Sequence, residues 1–369
     1  MCSSDLGPIS SNGSSLFFSS VIRTIAESPL REGELWVGTD DSTVQVSRDG
    51  GASWLDVSPP DLPEWTTITA IYVSAHQPGT AYISGGRHRV SDRTPYLYKT
   101  TDYGNTWQRI TNGIGKNDYS WVIREDPLRP GLLYTGTETG VYVSLDNGDA
   151  WQPLINNLPP APMYGIVVQE HFNDLVIGTY GRGFWIMDDL TPLQQLTEEV
   201  RSSSAYLFEP RDAYRFNPRT SPAAMTIDLS QGTNPPNAAY INYWLGGQTA
   251  GADVTLRITD ATGALVRTLE GTSEPGLNRV FWDFRGEPIV DVSGRINWRR
   301  EDGIYSGGFE GSTADGKPVS LTLVGKPTVA PRVFAHGEIT PLVLRRENEK
   351  LVREFSNSLR YVRCDVSDG

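Results

Sequence analysis

The chain is poor in the residues that most often announce chemistry: its 369 residues hold two cysteines, four histidines and four methionines. Cys2 and Cys364 stand near opposite termini, which excludes a Cys-rich metal centre and a dense disulfide framework and leaves the redox compartment open. His76, His88, His171 and His336 are widely separated and show no metal-ligand spacing, so no metal site is expected. No glycine-rich phosphate cradle joins a strand to a helix, and no cofactor is expected. Uninterrupted apolar runs of membrane-spanning length are missing, and the first residues carry no basic segment followed by a signal-like apolar stretch. Positive charge is short as well: 32 Lys and Arg against 44 Asp and Glu give a net charge of -12, which repels phosphate backbones and anionic lipid. Nucleic acid is therefore not an expected partner.

What is present is turn chemistry and aromatic surface. Thirty-seven Gly, 25 Pro, 16 Tyr and 10 Trp, with 38% apolar residues, point to many short strands joined by tight turns and to more than one core. Three segments repeat one pattern, Ser/Thr-x-Asp-x-Gly-x-x-Trp: Ser47 with Asp49, Gly51 and Trp54; Thr100 with Asp102, Gly104 and Trp107; Ser144 with Asp146, Gly148 and Trp151. The carboxylate satisfies backbone N–H groups inside the turn, the Gly tolerates positive φ, and the Trp is expected to seal an apolar blade. Each residue has a structural task, so these acids are read as scaffold rather than as catalysts. Asp49, Asp102 and Asp146 lie 53 and 44 residues apart, room for four strands per repeat.

Periodicity places strands at 21–26, 35–39, 44–48 and 54–57; at 68–73, 81–84, 96–100 and 107–110; and at 120–124, 132–135, 141–144 and 151–154. A fourth blade is expected from 164–169, 175–178 and 184–187, with no fourth recurrent turn. A short helix near Thr191-Pro192, with Leu193, Leu196 and Val200, is expected across that blade's edge. Antiparallel alternation then assigns faces. The Asp turns lie between third and fourth strands, so the second-to-third connections gather on the opposite face with the blade-to-blade loops.

That opposite face carries Asp40, the polar run 85–93 with Arg87 and His88, Glu138, and the Tyr180-Gly-Arg182 turn. Polar loop groups on a rigid scaffold are the expected ligand contacts, namely Asp40, Arg87, His88, Glu138 and Arg182. Glycoside hydrolysis needs two suitably spaced carboxyls, for which Asp40 and Glu138 are the candidates. Arg87, Arg124 and Arg182 superficially resemble a carboxylate-binding arginine set, but no Tyr-Glu nucleophile constellation accompanies them.

The repeated turns, together with Glu27-Ser-Pro29, Trp36-Val-Gly-Thr-Asp40 and Gly178-Thr-Tyr-Gly-Arg182-Gly-Phe-Trp-Ile-Met-Asp188, resemble bacterial sortilin-like proteins with BNR, or Asp-box, repeats, many of which are named glycosyl hydrolases. The resemblance covers about residues 21–193. It implies a larger propeller with upstream blades, a protein or glycan ligand, and a secreted, periplasmic or cell-envelope setting. Residues 1–7 read like a translated sequencing adaptor, consistent with a fragment of a longer product.

The expected architecture is all-β: Asp-box β-propeller blades over 14–200, an immunoglobulin-like β-sandwich over 201–290, and a β-rich extension with a C-terminal helix over 291–369. In the middle region 239–245, 254–259, 264–269 and 278–284 read as strands, with a hairpin turn at Asp260-Ala-Thr-Gly263. Tyr240, Trp244 and Trp282 are read as core aromatics before carbohydrate contacts. Residues 298–308 read as polar and turn-rich, 319–324 and 333–335 as strands, and Thr340-Pro341 as the entry to a helix. The function expected is ligand binding by the propeller, with a glycoside hydrolase or a structural scaffold as the alternatives.

Overall fold

The computed structural model describes residues 21–214, 235–249 and 251–287 and, as strand backbone, 292–301, 304–313, 318–325 and 362–367. The chain forms two compact units, residues 1–203 with 208–211 and residues 204–207 with 212–369. The opening residues 1–7, the expected strand at 333–335 and the helix entered at Thr340 lie outside the described residues.

In the first unit four sheets follow one another along the chain. β1 (Ile22–Glu27), β2 (Leu35–Thr39), β3 (Val44–Ser47) and β4 (Leu55–Asp56) make the first. β5 (Thr67–Val73), β6 (Ala81–Arg87), β7 (Asp92–Thr100) and β8 (Gln108–Arg109) make the second, and β9 (Ser120–Glu125), β10 (Leu133–Thr137), β11 (Val141–Ser144) and β12 (Gln152–Pro153) the third. The fourth has three strands, β13 (Met163–Gln169), β14 (Asp174–Thr179) and β15 (Phe184–Met187). Within each sheet consecutive strands pair antiparallel, and β1, β5, β9 and β13 neighbour one another in succession. The sheets therefore stack about their first strands, the packing of propeller blades.

Strand alternation supplies both faces of a blade. In β6, Ile83 enters the seam with the first blade, beside Trp36, Val44 and Val46. Its neighbour Tyr82 enters the seam with the third blade, beside Ile123, Leu133 and Trp151. Each seam is built on an aliphatic and aromatic layer, and its burial is the main favourable term holding blade on blade.

The three recurrent turns share one hydrogen-bond scheme. The hydroxyls of Ser47, Thr100 and Ser144 donate to Asp49, Asp102 and Asp146 at 2.8, 2.8 and 2.7 Å. The same hydroxyls accept the N–H of Gly51 (2.8 Å), Gly104 and Gly148 (2.9 Å each), and the carboxylates accept the N–H of Ser53, Thr106 and Ala150, each at 2.9 Å. The Ser53 hydroxyl and N–H, with the Ser47 hydroxyl, pull Asp49 down to a pKa of about 2.

The tryptophans of these turns seal the seam with the preceding blade. Trp107 donates its indole N–H to the Val57 carbonyl (2.6 Å), and Trp151 donates to that of Ile110 (2.8 Å). Trp54 departs from the expected sealing role. Among the described residues no blade precedes the first, so its N–H turns back to the Gly51 carbonyl (3.1 Å) and the ring is 41% exposed.

After β15 the chain continues as α1 (Thr191–Gln195) and α2 (Glu198–Ser202) instead of an outer strand. Pro192 starts α1 where its missing N–H costs nothing, and Thr197 caps α2 by accepting from Val200. Gln194 of α1 reaches Asp126 of the third blade (3.0 Å), and Arg129 donates to the carbonyls of Leu193 and Leu196. The helical segment thus crosses the blade edge. The outer face of the fourth sheet remains apolar and open, with Val167, Phe184 and Ile186 exposed, as does Ile25 on the first.

The second unit begins with β16 (Ala205–Leu207), β17 (Ala239–Leu245), β18 (Asp253–Thr259), β19 (Leu265–Glu270) and β20 (Gly276–Trp282). It continues with β21 (Val292–Glu301), β22 (Ile304–Thr313), β23 (Pro318–Gly325) and β24 (Val362–Ser367). Strands β16-β17-β20 form one sheet and β19-β18-β24 another. Ile241, Tyr243 and Leu245 of the first share a core with Val254, Leu256 and Ile258 of the second. Tyr240 and Trp282 are buried. The β18–β19 turn is closed by Asp260, which accepts the N–H groups of Thr262 and Ala264. The turn-rich reading of 298–308 is corrected: 298–301 and 304–308 lie in the paired strands of a long hairpin, β21 with β22, to which β23 adds. Gly294, Gly307, Gly308 and Gly311 punctuate the sequence pattern there without ending the ladder.

A candidate ligand-binding face

Every blade interrupts its first strand at the same place. The register shifts between Ile22 and Thr24, between Ile68 and Ala70, opposite Gly136 and Thr137 in β9, and between Met163 and Gly165. The residue left over is Arg23, Thr69, Trp121 and Tyr164 in turn. A bulge re-aims the extra side chain, so these four leave the strand's regular alternation. In the third and fourth blades that residue is aromatic.

The second-to-third-strand turns fold back onto the same place. The backbone N–H groups of Asp40, Glu138 and Tyr180 donate to the carbonyls of Val21, Tyr119 and Pro162 at 3.1, 3.0 and 2.8 Å, so the three residues occupy one repeat position. Gly181 and Gly183 hold positive φ (81° and 70°), which sets the tight turn presenting Tyr180 and Arg182.

The result is a run of five rings across three blades. His88 stacks on Tyr119 (centroids 4.9 Å apart, planes at 16°), and Trp121 lies 5.0 Å from His88 and 5.3 Å from Tyr119. Tyr164 follows at 4.3 Å from Trp121, and Tyr180 at 5.4 Å from Tyr164. The run grades from buried Tyr119 to Tyr164 at 47% and Tyr180 at 68% exposure. Glu138 stands at its middle, accepting the Trp121 indole N–H (3.0 Å). Burial, then Glu138, raises the Tyr119 pKa, which keeps that hydroxyl a donor.

The residues expected at this face are distributed unequally. His88 and Glu138 meet in the aromatic run, and Arg182 is exposed on the turn beside Tyr180, its carbonyl accepting the Trp185 indole N–H (3.0 Å). Arg87 is committed to Asp92 (2.6 Å) and closes its own hairpin. The expected loop 85–93 is accordingly shorter, since β6 runs to Arg87 and β7 starts at Asp92 with a single 3-10 turn over His88–Val90. Burial opposes the ionised form of Asp92, but bonds from Thr94, Tyr96 and Arg87 outweigh it and hold its pKa at about 2. Asp40 accepts the Val21 N–H (3.0 Å) at the edge of the first blade. Arg124 points elsewhere, its guanidinium 5.5 Å from the Tyr72 ring. The superficial set of three arginines does not assemble.

Sequence reasoning missed Tyr119, Trp121 and Tyr164. Trp121 and Tyr164 each sit one residue into a first strand, where alternation alone assigns them to a seam. Only the common bulge takes them out of it.

No family model matches the chain. It is similar to an oligoxyloglucan-reducing end-specific xyloglucanase of Emericella nidulans, 27% identical over an alignment of 169 positions that covers 37% of this chain and 20% of that protein. The chain spans about a fifth of the length of the curated relatives it matches. Among solved structures, a xyloglucanase of glycoside hydrolase family 74 from Xanthomonas campestris aligns with 16% identity and TM-score 0.38, covering 80% of this chain and 41% of that one. A structure of YCF48 bound to a D1 peptide aligns with 15% identity and TM-score 0.36, covering 80% and 77%. Among the described residues no helix is long and apolar enough to cross a membrane.

Within the run, His88 carries a pH dependence. Burial, then Arg89, lowers its pKa below the ordinary 6.5, against a smaller raising effect of Glu138. The folded state therefore holds the neutral ring while the unfolded chain takes up a proton, and stability falls as pH drops from 6.5 toward the folded-state value. The expected result is a lower melting temperature at pH 5.5 than at pH 7.5, with a smaller drop in His88→Phe. An equal drop in both proteins would remove His88 from that role.

Proposed function

We propose that the propeller unit is a glycan-binding module whose ligand lies along the ring run from Trp121 through Tyr164 to Tyr180, with Glu138 and Arg182 as polar contacts. The observation that carries this reading is the series of rings of graded exposure, Trp121 and Tyr164 at the common bulge and Tyr180 on the turn beside them. A pyranose ring offers an apolar face of C–H groups and an equator of hydroxyls, which suits a flat aromatic surface flanked by a carboxylate and a guanidinium. The rings are positioned by strands, so little ordering entropy opposes binding. The partial similarity to proteins named xyloglucanases supports a β-glucan-type oligosaccharide, and with it a secreted or envelope setting. Asp40 and Arg87 contribute through the shape of their own turns. The apolar outer faces of the first and fourth sheets suit further blades that extend the ring.

The test is calorimetric titration of the chain with xyloglucan oligosaccharides. Tyr164→Ala is expected to weaken binding at least tenfold, about 1.4 kcal/mol, with an unchanged denaturation curve, because the ring is half exposed. Trp121→Ala is expected to lose more. Undiminished binding in both variants would refute the ring platform. Release of new reducing ends, abolished by Glu138→Gln with binding intact, would replace the binding reading by the glycoside hydrolase one.

A further inference from the structure

We propose that a pocket between the second and third blades, on the side of the recurrent Asp turns, is a binding site for a small organic carboxylate held by Lys99 and Thr80. Strand order places it at the opposite end of the blades from the ring run, and it goes beyond the glycan reading. The pocket has a volume of about 200 Å³ and is lined by Ser74, Thr80, Tyr82, Lys99, Glu125 and Asn147, among others.

The repeat itself supplies the reference. Val46, Lys99 and Val143 occupy one position, each directly before the Ser or Thr of its turn and each paired with an aromatic of the second strand, Trp36, Tyr82 and Tyr134. In the first and third blades that valine is buried, at 3% and 2% exposure. The blade is thus complete with an aliphatic side chain there, and only the second blade substitutes a long cation. Lys99 forms no ion pair among the described residues, and its burial lowers its pKa against the pull of Asp149 and Glu125. A partly desolvated ammonium without a close partner is a standing cost that an arriving anion removes.

Two further observations point into the same space. Thr80 is 2% exposed, and its hydroxyl has no hydrogen-bond partner. Of the acids nearby, Glu125 is already satisfied: it accepts the Ser74 hydroxyl (2.5 Å), the Tyr82 hydroxyl (3.1 Å) and the Gly131 N–H (3.1 Å). It has no need of Lys99. The Tyr82 oxygen also lies 3.2 Å from the Asn147 side-chain amide. The groups of the pocket without a close partner are therefore the Lys99 ammonium and the Thr80 hydroxyl.

One cation, with Glu125 and Asp146 in the lining and Asp149 nearby, accommodates at most a single further negative charge. A dianionic phosphate would meet Glu125 without a second cation to offset it. The volume lies below the roughly 300 Å³ at which pockets for drug-sized ligands begin, so the ligand is a small acid of up to about sugar-acid size.

The experiment is a titration of the chain with sodium acetate and sodium glucuronate, followed by NMR shifts and calorimetry, with glucose and inorganic phosphate as comparisons. At least one carboxylate is expected to bind with Lys99 and Thr80 affected, glucose is expected to leave the pocket unperturbed, and phosphate to bind more weakly. Lys99→Val, the residue of the sister blades, is expected to weaken carboxylate binding at least tenfold, and Thr80→Val several-fold. Lys99→Met, which keeps the stem, serves if the valine variant folds poorly. Trp121→Ala is expected to leave this binding unchanged, which separates it from the glycan site. Absence of carboxylate binding, equal affinity in wild type and Lys99→Met, or glucose binding as well as glucuronate would each overturn the site.

Discussion

Trp151→Ala is expected to destabilise the propeller unit by about 3–5 kcal/mol, the usual cost of truncating a buried large aromatic. Trp151 is 4% exposed, sits in the seam between the second and third blades, and loses its indole bond to the Ile110 carbonyl. Trp54→Ala removes the same residue from the same turn but is expected to cost about 1 kcal/mol or less, because its ring has solvent on the side where a preceding blade would lie. Trp107→Ala belongs near Trp151, since its N–H reaches Val57 of the first blade. The glycines provide an independent check. Gly51, Gly104 and Gly148 all have positive φ, so each Ala variant carries similar backbone strain. Only at Gly104 and Gly148 would the added Cβ also meet the preceding blade, at 2.5 Å from Val57 and 2.9 Å from Ile110. Urea denaturation of the six variants tests the pattern. Equal losses across the three turns would show that these residues act within their own turns and not through the seams.

Asp126→Ala is expected to destabilise the same unit by about 3 kcal/mol or more, because it strands several buried donors at once. Asp126 is fully buried and accepts from the N–H groups of Leu128 and Arg129 (each 2.9 Å), the Tyr134 hydroxyl (3.1 Å) and Gln194 (3.0 Å). Burial, then Asp126, raises the Tyr134 pKa, so that hydroxyl remains a donor throughout the ordinary pH range. The carboxylate thereby joins the third blade to α1, which stands where a fourth outer strand is missing. Hydrogen exchange should consequently accelerate in residues 191–202 of the variant before it does in β5 or β6. Retained protection there, with full stability, would show that α1 is held by Arg129 and apolar contacts alone.

The blades were legible because each depends on chemistry that is local in the chain. The Ser or Thr, Asp and Gly of each recurrent turn satisfy one another within five residues, and the strands between them alternate cleanly enough to be placed within one or two residues, except where β6 and β7 extend three and four residues further into the expected loop 85–93. The face bearing Glu138, His88 and Tyr180 followed from strand order alone. Trp54, by contrast, reads identically to Trp107 and Trp151, and its exposure depends on a neighbour outside its own turn. The long hairpin of β21 and β22 was hidden for the opposite reason: its glycines look like turn signals, while its ladder depends on partners across the sheet.

The amino-acid sequence by itself determined the recurrent turns, the antiparallel order and the end of each blade on which every loop lies, since these depend on residues adjacent in the chain. Tertiary structure decided which side chains those ends present. The bulge that frees Trp121 and Tyr164 is a slip in pairing between β9 and β10 and between β13 and β14, with an energy that belongs to two strands and leaves no mark in either alone. The same holds for Lys99 and Thr80, which become a site only where the second blade's departure from its sisters meets the satisfied carboxylate of the third.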